Sequence, residues 1–148
     1  MKQNIICLSF CLMSFFARSQ EQVKWTFSAK KLADNSYEIH LKASLDEGWH
    51  IYSQATPQGG PLPTKITFVK NPLLMFLGAI KENGNIERYH DQTFDVEVTA
   101  YADSVDFVQL VRLRGKAKTS ILGTIGYMVC TSGECTPPLK MKFLIKLE

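Results

Sequence analysis

Cys130 and Cys135 stand close together in the stretch YMVCTSGECTPP, residues 127–138, with four residues between them. Two thiols at this spacing can form a structural staple, clip a metal, or act as a redox switch. As a staple the pair is weak. In the loop-entropy view, a bridge closing so small a ring stabilises by only ~2 kcal/mol, against ~4.7 kcal/mol for a hundred-residue loop. As a metal clip the pair lacks partners, because a closed zinc site needs two more ligands. The histidines are His40, His50 and His90, and none lies within zinc-finger spacing of the cysteines. A soft copper site could borrow Met128, which strand alternation turns away from Tyr127 and Val129. The redox switch fits better. A disulfide on a short exposed turn is open to attack, and exchange proceeds through a mixed disulfide. The Cys-x4-Cys spacing is not the Cys-x-x-Cys of thioredoxins, and no βαβ pattern surrounds it.

The elements that must position these thiols read as strands. SYEIHLKASL sets Tyr37, Ile39, Leu41, Ala43 and Leu45 on one face and Glu38, His40, Lys42 and Ser44 on the other, the pattern of a half-buried strand. TFDVEVTAY, VDFVQLVRL (with Gln109 the odd member of its apolar face), SILGTIGYMVC and LKMKFLIKL repeat the alternation. VKWTFSAKK, GWHIYSQ, TKITFVK and LMFLGAIKE are shorter candidates. Turn chemistry separates them. ADNS and LDEG are turn clusters, TPQGGPLPT is a bent connector, KENGN carries an Asn-Gly, and Ala102-Asp103-Ser104 reads as a short hairpin link. NIERYHDQT, residues 85–93, reads as the one longer non-strand stretch. About nine strands without crossover helices predict an antiparallel β-sandwich. Trp25 and Trp49 are expected in its core.

The chain has 148 residues, 45% apolar and 21% charged, which suits one globular domain. The amino-terminal MKQNIICLSFCLMSFFARS carries Lys2, an apolar run from Ile5 to Phe16, and small residues at Ala17 and Ser19. That is the pattern of a secretory signal, and the run is shorter than the ~20 residues that span a bilayer. An uncleaved anchor is the alternative. Residues 1–19 are expected to be removed, leaving a domain over residues 20–148. Cys7 and Cys11 leave with the signal, so the exported part holds only Cys130 and Cys135, in an oxidising compartment where thiols pair. Net charge falls from +3 to +1 as Lys2 and Arg18 leave, which gives no electrostatic case for nucleic acid.

VCTSGECTPP after a glycine-spaced apolar strand resembles the active-site end of the N-terminal (alpha) periplasmic domain of DsbD, the disulfide bond corrector family. GWHIYSQ with its Pro/Gly connector resembles that family's early strand, and YHDQTFDVEV the loop leading into a central strand. The resemblance runs from about Val23 to Leu147 and is sharpest at the cysteines. It implies an immunoglobulin-like sandwich that carries two electrons as a dithiol/disulfide, with no cofactor beyond the Cys130–Cys135 pair. It implies thioredoxin-fold partners. Because the chain ends at Glu148 without the family's membrane helices or thioredoxin domain, it also implies a separate membrane-embedded electron donor.

Carried over residue by residue, the resemblance makes Cys135 the thiol that forms the mixed disulfide and Cys130 the one that resolves it. Phe94 becomes the cap shielding the pair, with Tyr89 as second candidate and Thr93 in place of Phe94 if the alignment slips by one. Pro137 and Pro138 lack N–H donors and are expected to end ladder pairing there; Gly133 is expected to permit the tight turn. His90 as imidazolium would favour a thiolate, while Asp91 and Glu134 would oppose it. Tyr52 and His50 resemble the aromatic strand beside the active site, with His50 read as packing. The main rival is a secreted interaction module whose disulfide is only structural. A periplasmic copper or zinc carrier is a second rival. No serine or carboxylate pair has the context of a hydrolase.

Overall fold

The computed structural model describes residues 21–147; the expected signal segment lies outside them. Nine strands form among the described residues: β1 (Val23–Lys31), β2 (Ser36–Leu45), β3 (His50–Tyr52), β4 (Lys65–Phe68), β5 (Leu74–Asp91), β6 (Val96–Leu113), β7 (Thr119–Tyr127), β8 (Val129–Cys130) and β9 (Leu139–Leu147). They make two antiparallel sheets. The larger runs β1-β2-β6-β3-β8, with β5 also on β6, and the smaller runs β4-β7-β9. The fold is the all-β, immunoglobulin-like sandwich expected from the sequence.

The spine is the hairpin of β5 and β6. β6 carries β5 along one edge, while its other edge is shared end to end: residues 104–112 pair with β2 and residues 100–102 with β3. The chain between β2 and β3 folds back through Asp46–Trp49, where Gly48 adopts φ +81° and Trp49 N–H donates to the Asp46 carbonyl at 3.1 Å. This places β3, and then β8 beyond it, beside the β5–β6 tip.

Between the sheets lies the main core. Ile39, Leu41, Val105, Phe107 and Val111 come from the larger sheet, and Ile121, Ile125, Phe143 and Ile145 from the smaller, all buried. Trp25 stacks on Phe107 (5.9 Å) and meets Tyr127 edge-on (5.4 Å); Trp49 packs against this core half-buried. The alternation read from β2, β7 and β9 is the alternation that buries these residues.

Four boundaries differ from the sequence reading. Ala102-Asp103-Ser104 is no hairpin link; β6 runs straight through it. Asp103 takes φ +58°, and β6 changes from β2 to β3 as partner there. Asn83-Gly84 is no turn either, since both lie inside β5. Gly84 is required by contact: a Cβ there would sit 2.8 Å from the Ser104 carbonyl and 2.9 Å from the Tyr101 ring. Residues 86–91 of the supposed non-strand stretch are paired with β6, leaving only 92–95 as the turn. In the other direction, SILGTIGYMVC is two strands, broken at Met128. Gln109, the odd member of the β6 face, is buried opposite a bulge in β5. Its side-chain amide donates to the Leu77 and Leu110 carbonyls at 3.0 and 2.9 Å, so the polar group is satisfied where the ladder is interrupted.

Candidate functional site

Strand register alone gathers the site. Cys130 pairs with His50, and His50 with Ala102; Tyr52 pairs with Ala100, and Ala100 with Glu87; Val98 pairs with Tyr89. Residues paired across antiparallel strands share a face, so all of these lie together on one side of the larger sheet. It is the side away from the main core. Ile51 and Val129 point into that core, while their neighbours Tyr52 and Cys130 point out. There Tyr52, Val98, Ala100 and Cys130 form a second buried cluster, with Tyr89, Val96 and Met128 packed on it.

The disulfide closes a minute hairpin on this face. Cys130 and Cys135 form an antiparallel bridge with Cα atoms 4.0 Å apart. Backbone bonds bracket it: Thr131 N–H to the Glu134 carbonyl at 2.8 Å, and Thr136 N–H to the Val129 carbonyl at 2.9 Å. The turn is held by Thr131, whose Oγ1 accepts from the N–H groups of Gly133 (3.3 Å) and Glu134 (3.1 Å). This corrects the role expected of Gly133. Its φ is not positive and a Cβ there would meet nothing within 4 Å, so the turn does not depend on glycine. Pairing with β8 stops at Thr136, directly before the exposed Pro137 and Pro138, and β9 begins at Leu139.

Cys130 is 1% exposed, whereas Cys135 is exposed. Cys135 opens onto a cleft of about 790 Å³ walled by the 131–135 turn on one side and the β5–β6 tip on the other. Of the residues singled out in the sequence, His50, Tyr52, Tyr89, His90, Asp91, Phe94, Gly133, Glu134 and Cys135 line it; Thr93, the alternative to Phe94, does too. Cys130 lies beneath, and Pro137 and Pro138 are not among the lining residues. Phe94 sits in the 92–95 turn rather than in a strand, half-buried on the cleft wall. That turn is pinned by Asp91. Its Oδ1 accepts from Thr93 N–H (2.9 Å) and Phe94 N–H (3.2 Å), while Asp95, at φ +57°, returns its N–H to the Asp91 carbonyl at 2.7 Å. His90 turns to its own hairpin, 2.9 Å from Asp95 Oδ1 and 3.3 Å from Glu97 Oε1.

The sequence reading undervalued His50. The hydroxyls of Tyr89 and Tyr52 converge on its Nε2, at 2.8 and 3.0 Å. Both rings meet the imidazole edge to face, with centroids 5.8 and 5.2 Å away. Burial holds His50 below the usual histidine range, while Glu87 and Asp91 pull it back upward. A neutral imidazole protonated on Nδ1 offers Nε2 as the acceptor that a tyrosine hydroxyl needs. The Tyr52 hydroxyl is pushed well up, first by burial and then by its bond to Tyr89 and the nearby Asp91. Tyr89 is raised chiefly by burial. Glu87 was also missed. Period two along β5 is its signal, since Glu87 stands two positions from Tyr89, as His50 stands two positions from Tyr52 on β3.

Residues 18–147 match the family model "Thiol:disulfide interchange protein DsbD, N-terminal". The chain belongs to this family. Among solved structures, the DsbD N-terminal domain of Neisseria meningitidis in its reduced form has a similar fold, with TM-score 0.54 and 18% identity over 82% of this chain and 84% of that one. The N-terminal periplasmic domain of ScsB from Proteus mirabilis matches with TM-score 0.54 and 14% identity, covering 84% of this chain and 44% of that one. A Neisseria meningitidis complex between the DsbD N-terminal and PilB N-terminal domains matches with TM-score 0.50 and 15% identity, over 82% and 80%. No curated protein matches the chain. Membership of the DsbD N-terminal family and a disulfide at the cleft together support thiol–disulfide exchange as the chemistry of this site.

Proposed function

We propose that the chain is a periplasmic two-electron carrier whose redox group is the Cys130–Cys135 pair alone. The observation that carries this reading is the asymmetry of the pair: one cysteine exposed in a cleft, the other 1% exposed in an apolar cluster. In the reduced domain the Cys135 thiolate attacks a partner's disulfide, forming a mixed disulfide and releasing one partner thiolate. Cys130 then attacks Cys135 Sγ, closes the intramolecular bridge and frees the second partner thiolate. Two electrons pass to the partner, and two protons complete its dithiol. A dithiol on a separate membrane-embedded protein reverses these steps and recharges the domain. The acceptors are thioredoxin-fold proteins. The solved complex of a DsbD N-terminal domain with a PilB N-terminal domain supports a protein as the partner.

Phe94 and Tyr89 cap the pair on the cleft side, keeping small thiols away until a partner displaces the 92–95 turn. His50, Tyr52 and Asp91 hold that wall in place. Replacing Cys130 by serine leaves Cys135 able to attack but removes the thiol that resolves the adduct. Cys130→Ser should therefore accumulate mixed disulfides in cells, identifiable by mass spectrometry after non-reducing separation, and Cys135→Ser should accumulate none. Adducts on Cys135→Ser, with none on Cys130→Ser, would reverse the assignment.

A further inference from the structure

The outer face of the β4-β7-β9 sheet has a chemistry the cysteine site does not use. Register places Leu122 opposite Leu144, and the Val69 N–H donates to the Leu122 carbonyl at 2.8 Å, continuing the β4–β7 ladder. The three side chains thus form one apolar row across the sheet, 54%, 46% and 53% exposed for Val69, Leu122 and Leu144. Around the row the same face carries Lys65, Lys140, Lys142 and Lys146, all exposed, and among the described residues no carboxylate. None of these lysines makes an ion pair with the described residues. The larger sheet differs: its outer face mixes signs, with Lys30 3.7 Å from Glu38 and His40 2.7 Å from Asp106.

We infer that this face docks on an anionic bilayer surface, the lysines meeting the headgroups and the Val69-Leu122-Leu144 row entering the boundary beneath them. Lysines on edge strands by themselves guard against strand pairing, but that does not account for a continuous exposed apolar row between them. An acidic protein partner fits less well, because protein interfaces are depleted in lysine and enriched in aromatic residues and arginine. This face has only lysine and aliphatic residues. Long lysine stems that lie along apolar surface while their ammonium groups reach outward suit a membrane interface. None of these residues lines the cysteine cleft, so docking leaves Cys135 open to partners.

The test uses the chain as recovered from cells, mixed with vesicles of phosphatidylcholine with and without phosphatidylglycerol and followed by co-sedimentation. Each lysine near an anionic surface is worth roughly fivefold in partitioning. Binding should require phosphatidylglycerol, weaken with added salt, and fall by at least roughly tenfold in Lys142→Glu/Lys146→Glu. Leu144→Ser should weaken it further, while Lys24→Glu/Lys42→Glu on the opposite sheet should leave it unchanged. A melting curve matching wild type shows that each variant is folded. Absence of binding, or equal binding to neutral vesicles, would overturn the inference. So would binding retained in the Lys142→Glu/Lys146→Glu variant, which would place attachment in the amino-terminal segment. A photo-crosslinker at position 144 that captures an acidic protein in place of lipid would also overturn it.

Discussion

The same strands build both apolar clusters, yet the two clusters are made differently. β6 gives Phe107 and Val111 to the main core and Val98 and Ala100 to the small cluster; β8 gives Val129 to one and Cys130 to the other. The main core is closed by a second sheet and is almost purely aliphatic and aromatic. The small cluster is roofed by the β5–β6 tip and the 131–135 turn, and its tyrosine hydroxyls meet at His50. The difference separates two properties. Stability resides where two sheets exclude water from both sides. Reactivity resides where one sheet face is half-covered, because an attacking thiolate needs a route to sulfur.

The sharpest way to break that separation is to damage each cluster in turn. Phe107→Ala should cost about 3–5 kcal/mol in a denaturant melt, while the folded fraction keeps its redox midpoint. Cys135→Ser should abolish exchange in an insulin- or glutathione-coupled assay yet cost only ~2 kcal/mol of stability, the value of so short a loop. If Cys135→Ser unfolded the chain, the disulfide would be a staple and the separation would fail.

Smaller changes test the roof. Phe94→Ala should raise the rate of reduction by dithiothreitol several-fold, followed by thiol labelling of Cys135. Asp91→Ala should do the same with a smaller effect, because it removes the carboxylate that accepts from Thr93 and Phe94 without deleting the cap itself. Its stability cost should be about 1.5–3 kcal/mol, as for a lost hydrogen bond to a charged acceptor. Unchanged reduction rates in both variants would mean that the 92–95 turn does not shield the sulfurs.

The smallest effect concerns pH. The folded His50 lies below its ordinary value of 6.5, mainly through burial. Between the folded value and 6.5, the unfolded chain binds a proton that the folded chain does not. The His50 contribution to stability is therefore fully present above that window and is lost as pH falls through it. Thermal melts taken on either side of the window should show a drop that is reduced in His50→Gln. An identical pH profile in the variant would place the titration elsewhere.

The chemistry of particular residues explains what was legible beforehand. The faces of β2, β7 and β9 were readable because each buries alternate residues against one core. The cysteine element was readable because few residue types can carry redox chemistry. Ala102-Asp103-Ser104 and Asn83-Gly84 misled because a bulge and a turn draw on the same residues. Aspartate tolerates the positive φ of either, and glycine serves close contact as readily as reversal. His50 was read as packing because its meaning depends on long-range register. Only when β3 lies between β6 and β8 does the imidazole come to face Tyr89, thirty-nine positions away.

The function proposed for this site depends on whether the bridge is poised for exchange. The direct measurement is the redox equilibrium of the chain against a glutathione series, with Cys130 and Cys135 followed by thiol labelling. A midpoint between that of thioredoxin, ~−270 mV, and that of a strong oxidant such as DsbA, ~−120 mV, is the result expected of a carrier. A bridge that stays closed well below ~−300 mV would be a structural disulfide, and the cleft beside it would then need a different explanation.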